Sequence, residues 1–266
     1  RQGIFQMPPH PNYNVECWID LFSISNLKKS KKIFIQLDPD EYLHLNKALI
    51  ERQNEFDYIF TFESEVLENC ENAILFEYGT TWLKPEEYIF QDKKFSLSFV
   101  CNNKLHNPGH FIRHDIFDKQ DHFKIPLNFF LSSMNPDKND PFYKQKEVIS
   151  KFNNPILGDS KTPLFESMFS ICVENVKKDY YFSEKLIDCF LCKSIPVYYG
   201  CSNIEQYFNM EGIISFDTIE ELIEKTSTLT TEFYESKYDI IEENYKKSLS
   251  YVDYSGRILD KINLLL

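Results

Sequence analysis

Asn175-Val-Lys-Lys-Asp-Tyr-Tyr-Phe-Ser-Glu-Lys-Leu-Ile-Asp-Cys-Phe-Leu-Cys-Lys-Ser-Ile-Pro-Val-Tyr-Tyr-Gly200 reads as a polar loop, a helix start, a buried helix and a short strand. The helix start carries Ser183, Glu184 and Lys185. The loop follows a hydrophobic strand candidate, Met168 to Val173. A helix N-terminus presents unpaired N–H groups and a positive dipole end, which suits phosphate. Glutamate in a first turn is ordinary helix chemistry, whereas a lysine there opposes the dipole and calls for an anion. Glu184 and Tyr181 add groups that read hydroxyls. Together they suit a nucleotide-diphosphate-sugar. Asn175 and Glu174 stand side by side where the loop begins, and which of the two carries a role stays open.

Outward from this stretch, strands and helices alternate. Lys31 to Leu37, Phe56 to Phe62 and Ala73 to Glu77 read as strands, with helices near Tyr42 to Arg52 and Ser64 to Asn69 between them. Residues 1 to 14 read as irregular, and Cys17 to Leu27 as a mixed element. Past a charged boundary at residues 84 to 94, Phe95 to Cys101 is a strand, His110 to Phe123 a helix and Lys124 to Leu131 a strand. Beyond the opening stretch, residues 202–208 read as helix, 212–216 as strand and 218–228 as helix, the last opened by a Thr218-x-x-Glu221 capping box. The expected fold class is α/β, with two Rossmann-like domains facing across a cleft. Residues 1–90 form the acceptor-side domain, 91–245 the donor-binding domain, and 246–266 a C-terminal helix packing back on the first.

Tyr181-Phe-Ser-Glu-Lys185, followed after a helix by Ile195-Pro-Val-Tyr-Tyr-Gly200, resembles the donor signature of family 10 glycosyltransferases, the α-1,3-fucosyltransferase group with viral and bacterial relatives. Ser183 stands where that signature has threonine, a mild change at a helix cap. The resemblance is clear over about residues 95 to 216 and faint before them. It implies the architecture called GT-B, an inverting transfer, GDP-fucose as donor, and Arg113 on the donor pyrophosphate. A guanidinium fork suits two phosphate oxygens; otherwise Arg113 is a solvated helix-face arginine. Exostosin-type transferases share a looser form of the motif, so a UDP-sugar such as UDP-xylose stays open. The donor-binding set is then Arg113, Asn175, Tyr181, Ser183, Glu184 and Lys185, with Lys185 also stabilising the leaving diphosphate. The acceptor is a glycan or glycoprotein.

Inverting transfer needs a carboxylate base from the first domain. The family places a glutamate there in a Gly-Glu-Asn setting, which this chain lacks. Asp38, ending Ile33-Phe-Ile-Gln-Leu-Asp38, stands at the matching place, with Asp40, Glu41 and Glu63 as alternatives. Asp38 could instead cap the following helix. Asp38-Pro-Asp40 also has the Asp-x-Asp form that holds Mn²⁺ or Mg²⁺ against a diphosphate, which keeps a metal-dependent transferase as an alternative. No cofactor or metal is expected on the main reading. His106, His110 and His114 are spaced for a helix face but lack a completing ligand, so capping or lining a cleft is the expected role. Trp18, Trp82 and Tyr13 could stack on acceptor sugars or pack in the core.

The 266 residues are 42% hydrophobic, enough for a substantial core, and carry a net charge of −12. That charge argues against nucleic acid and against an anionic membrane surface as partners. No run suits a membrane span. Seven cysteines form no neat disulfide framework, and no Asn-x-Ser/Thr sequon occurs. Cys189-x-x-Cys192 lacks a second pair at metal spacing and reads as buried thiols. Both features favour a cytoplasmic location, although the chain begins with Arg1 and an upstream anchor is compatible with it. Dehydrogenase, P-loop, zinc-protease and serine-hydrolase motifs are absent. A non-catalytic carbohydrate- or nucleotide-binding module is the alternative from another class.

Overall fold

A computed structural model describes residues 3–6, 14–22, 30–88, 92–102, 104–132 and 153–266. Its contacts divide the chain into two compact units, Arg1–Tyr78 with Asp179–Tyr181, and Gly79–Lys178 with Phe182–Leu266.

The first unit contains strands β1 (Gly3–Gln6), β2 (Asn14–Ile19), β3 (Ser30–Ile35), β4 (Tyr58–Thr61) and β5 (Ala73–Leu75), in that spatial order. Strands β2 to β5 run parallel, and β1 pairs antiparallel on the edge. The short helices are α1 (Asp40–Leu43), α2 (Asn46–Glu51) and α3 (Ser64–Asn69). Trp18, Phe34, Leu49, Phe56, Ile59, Val66 and Cys70 form one core cluster. Trp18 meets Phe56 edge-on at 5.6 Å, the favoured aromatic arrangement.

Three local expectations change here. Gly3–Gln6 is a strand, not irregular chain, because its backbone pairs along β2. Residues 14–19 form β2 rather than a mixed element. The helix expected over Tyr42 to Arg52 breaks in two at His44, which takes a left-handed φ of 54°. Asn46 causes the break. Its N–H donates to Asp40 Oδ1 (2.7 Å), its Oδ1 accepts from Gln36 Nε2 (3.0 Å), and its Nδ2 donates to Glu63 Oε2 (3.3 Å). These bonds, two of them buried, outweigh continuous helix pairing.

The second unit contains β6 (Lys94–Cys101), β7 (Leu127–Leu131), β8 (Ser167–Val173), β9 (Ile195–Tyr199) and β10 (Ile214–Ser215). All are parallel, in the order β10-β9-β8-β6-β7. Every residue of β8 is buried, as a central parallel strand requires. Around the sheet lie α4 (Pro108–Asp118), α5 (Glu184–Leu191), α6 (Ile219–Thr226), α7 (Thr231–Ser236), α8 (Tyr238–Ser248) and α9 (Tyr254–Leu265). The C-terminal residues through Leu266 group with this unit. The helix expected over 202–208 is only a 3₁₀ turn, Ile204–Gln206. Phe208 is held against Phe190 (4.7 Å) and Phe182 (5.7 Å), which anchors the turn before a helix can propagate. Chain order reverses between β6 and β8. Open α/β sheets bind ligands outside the carboxyl ends of strands at such a switch point.

Candidate functional site

The switch point is built from two helix N-termini and the loop leaving β8. Asn107 caps α4, its Oδ1 accepting from His110 N at 3.3 Å, and Pro108 occupies the first turn. Gly109 then comes against the chain leaving β8. Its N–H donates to Asn175 O at 2.9 Å, and a Cβ there would lie 1.8 Å from Glu174 O. Only glycine permits that approach. One turn on, Arg113 is buried. Its Nε and Nη2 donate to Val173 O (3.2 and 2.5 Å), and Nη2 donates to Asn175 Oδ1 (3.0 Å). Arg113 and Asn175 are thus brought together, and part of the guanidinium fork ties the end of β8 to α4.

The start of α5 is organised by Glu174, which is fully buried. Ser183 donates to it twice, from N to Oε1 (2.8 Å) and from Oγ to Oε2 (2.6 Å). Ser183 Oγ also accepts from Lys185 N (3.4 Å) and Lys185 Nζ (3.0 Å). Lys185 Nζ lies 3.2 Å from Glu184 Oε1 and 3.5 Å from Glu174 Oε2. Burial opposes the lysine's charge, but Glu184 and Glu174 outweigh it and raise its pKa. Burial likewise pushes Glu184 up, yet Lys185 and Lys161 hold it at about 2. Both side chains stay charged at neutral pH. Gly200 closes the back of the site: a Cβ there would meet Tyr198 Oη at 2.3 Å and Glu174 Cγ at 2.6 Å. The glycine ending the Pro196–Gly200 motif leaves room for the Glu174 side chain.

One partner in this site, Lys161, lies outside the opening stretch of sequence. Lys161 Nζ bonds Asp188 Oδ2 at 2.8 Å, lies 3.9 Å from Glu184 Oε1, and sits 4.4 Å from the centre of the Trp82 ring. Asp188 Oδ1 accepts from Thr81 Oγ1 (2.6 Å) and Trp82 N (3.1 Å). Sequence reasoning missed Lys161 and Asp188, because loop and helix meet only on folding. Glu174 offered a weak signal, a carboxylate directly after a buried strand.

Tyr181 groups with the first unit, where its ring lies 4.9 Å from Phe62. Tyr180 before it has a left-handed φ of 62°, rare for a bulky residue and often functional. Asp38 is half-buried just beyond β3. Asp40 N donates to Glu63 Oε1 (2.9 Å) and Asp40 Oδ1 accepts from Asn46 N, so both carboxylates help hold the loop. Glu41 is exposed. Asp20, not singled out by its sequence, is buried at the end of β2 and accepts from Leu37 N at 2.8 Å. Trp18 is core, Trp82 is 64% exposed, and Tyr13 lies outside the described residues. His114 Nε2 bonds Asn102 O at 2.9 Å. All seven cysteines are reduced and buried. Among the described residues, no group of three or more His, Cys, Asp or Glu could hold a metal, and no helix is long and apolar enough to cross a membrane.

The fold is that of the GT-B glycosyltransferases, two Rossmann-like α/β units in one chain. A solved structure of Anabaena HepE with UDP-glucose matches with a TM-score of 0.62 at 10% identity, over 88% of this chain and 72% of that one. An α1,3-fucosyltransferase with GDP matches with a TM-score of 0.50 at 18% identity, over 84% and 73%. In sequence, the chain is 29% identical over 85 residues to the α-(1,3)-fucosyltransferase FucT of Helicobacter pylori. That match spans 30% of this chain and 17% of the relative's length. No model of a protein family matches. The resemblance to α-1,3-fucosyltransferases therefore stands in sequence as well as in the signature residues.

Proposed function

We propose that this chain is an inverting glycosyltransferase that moves a sugar from a nucleotide-diphosphate-sugar to a glycan hydroxyl without a metal. The observation that carries the reading is the cluster of Arg113, Asn175, Ser183, Glu184 and Lys185 at the β6/β8 switch point. Two cations and two helix N-termini there suit a diphosphate. Lys185, kept charged by Glu184 and Glu174, stabilises the leaving diphosphate as negative charge develops. Glu184 accepts from ribose or sugar hydroxyls, and Asn175 and Tyr181 position the donor. Arg113 acts on the pyrophosphate and also fixes Asn175. Asp38 removes the acceptor proton. Asp40 and Glu63, the alternatives, hold backbone and Asn46 within the loop. GDP-fucose is the first donor to try, supported by the Helicobacter pylori match. A UDP-sugar is the second, supported by the likeness to HepE.

A thermal-shift panel of GDP, UDP, GDP-fucose and UDP-sugars, with and without Mg²⁺ or Mn²⁺, tests this. A ligand that binds only the folded state raises the midpoint. The expected result is a rise with one nucleotide class, independent of metal and lost in Lys185→Ala. A rise only with metal transfers the role to Asp38 and Asp40. No rise with any nucleotide overturns the proposal, and binding without transfer leaves the non-catalytic module.

A further inference from the structure

His110 lies at the third position of α4, directly after Gly109 and one turn before Arg113. Residues three apart share a helix side, so His110 stands with the arginine that grips the end of β8. The histidine is 4% exposed. Its Nδ1 accepts from His106 N at 3.2 Å. A neutral imidazole that accepts at Nδ1 carries its proton on Nε2. That Nε2–H has no hydrogen-bond partner among the described residues. Burial lowers the imidazole's pKa to about 2, with the positive charges of Arg113, His106, Lys104 and Lys185 adding to the effect. The ring is therefore a neutral donor at neutral pH. The Nε2–H of this largely buried ring is left for solvent or a ligand to complete. Arg113 and Lys185, both close enough to act on the ring, favour an anionic oxygen as that ligand.

We propose that His110 Nε2–H is a hydrogen-bond donor to the diphosphate of the nucleotide substrate. This rests on the transferase reading and adds a ligand that neither signature nor resemblance assigns. A neutral N–H among fixed cations gives direction where the cations give strength. It favours an oxygen held in one orientation and adds no charge that would retain the released diphosphate.

Calorimetric titration of GDP, UDP and the matching nucleosides into the unsubstituted chain, His110→Ala and His110→Gln tests the proposal. Gln places an amide N–H near the Nε2 position. The expected result is diphosphate affinity about tenfold weaker in His110→Ala, restored to within about threefold in His110→Gln, with nucleoside affinity unchanged. Diphosphate affinity unchanged in a folded His110→Ala overturns the proposal alone. Equal losses for nucleoside and diphosphate in both variants also overturn it, by assigning His110 to packing. Absence of nucleotide binding to the unsubstituted chain overturns the transferase reading and this proposal with it. Should His110→Ala fail to fold, nitrogen NMR of the unsubstituted protein decides. GDP or UDP must shift the His110 Nε2 resonance while leaving Nε2 protonated, and an unmoved resonance in the saturated protein overturns the proposal.

Discussion

Gly109 shows how one residue type can set a site. Its missing side chain lets α4 touch the chain leaving β8, and a methyl there would strike the backbone of Glu174. Backbone cannot swing aside as a side chain can. Gly109→Ala is expected to cost about 3 kcal/mol or more of stability and to abolish nucleotide binding. Gly158→Ala, with nothing within 4 Å of the new methyl, should leave both unchanged. Denaturant titration and calorimetry read the two effects. Asp20 gives a second prediction. Burial raises its pKa from 3.8 to about 7, with Asp38 adding to the rise and the Leu37 N–H opposing it. Between those two values the folded chain holds a proton that the unfolded chain has lost. Stability from this group is therefore greatest near pH 4 and is lost as pH rises through about 7, at up to about 1.4 kcal/mol per pH unit. Asp20→Asn should flatten that slope in denaturation curves taken from pH 4 to 8. The residues at the start of α5 were legible because their chemistry is local: Ser183 caps, and a first-turn lysine asks for an anion. Asp20 was not legible, because nothing nearby in sequence announces its burial.

Elements separate stability from function more cleanly. Asn107 caps α4, and Thr218 caps α6 by accepting from Glu221 N at 3.2 Å. Losing either cap costs about 1 kcal/mol. Asn107→Ala should also weaken nucleotide binding, because α4 carries His110 and Arg113 to the switch point. Thr218→Ala should lower stability alike and leave binding intact. The capping box read from Thr218-x-x-Glu221 is real but shifted: Glu221 Oε2 accepts from Asp217 N at 2.8 Å, not from the cap residue. Strands were read well because hydrophobic runs between polar turns mark them, as Ile195–Tyr199 illustrates. The break at His44 was missed because it depends on Asn46 meeting Gln36 and Glu63, which lie on neighbouring strand ends.

At the scale of the molecule, each unit has its own sheet, with a core cluster beside it, and the switch point belongs to the second. Hydrogen exchange on the intact chain should therefore respond unevenly to GDP or UDP. Amides in β8 and at the starts of α4 and α5 should gain protection, whereas those in β2 to β5 should change little. Equal protection throughout would contradict donor binding in the second unit. The amino-acid sequence by itself determined the α/β alternation and the chemistry at the head of α5, because both depend on neighbours in the chain: hydrophobic period, capping and dipole. The tertiary structure alone decided which groups face one another. It placed Arg113 on Val173 and Asn175, Glu174 beneath Ser183, and Lys161 between Asp188 and Trp82. Arg113 is far along the chain from Val173 and Asn175, and the parallel order β10-β9-β8-β6-β7, which sets α4 against the chain leaving β8, brings them within hydrogen-bonding reach.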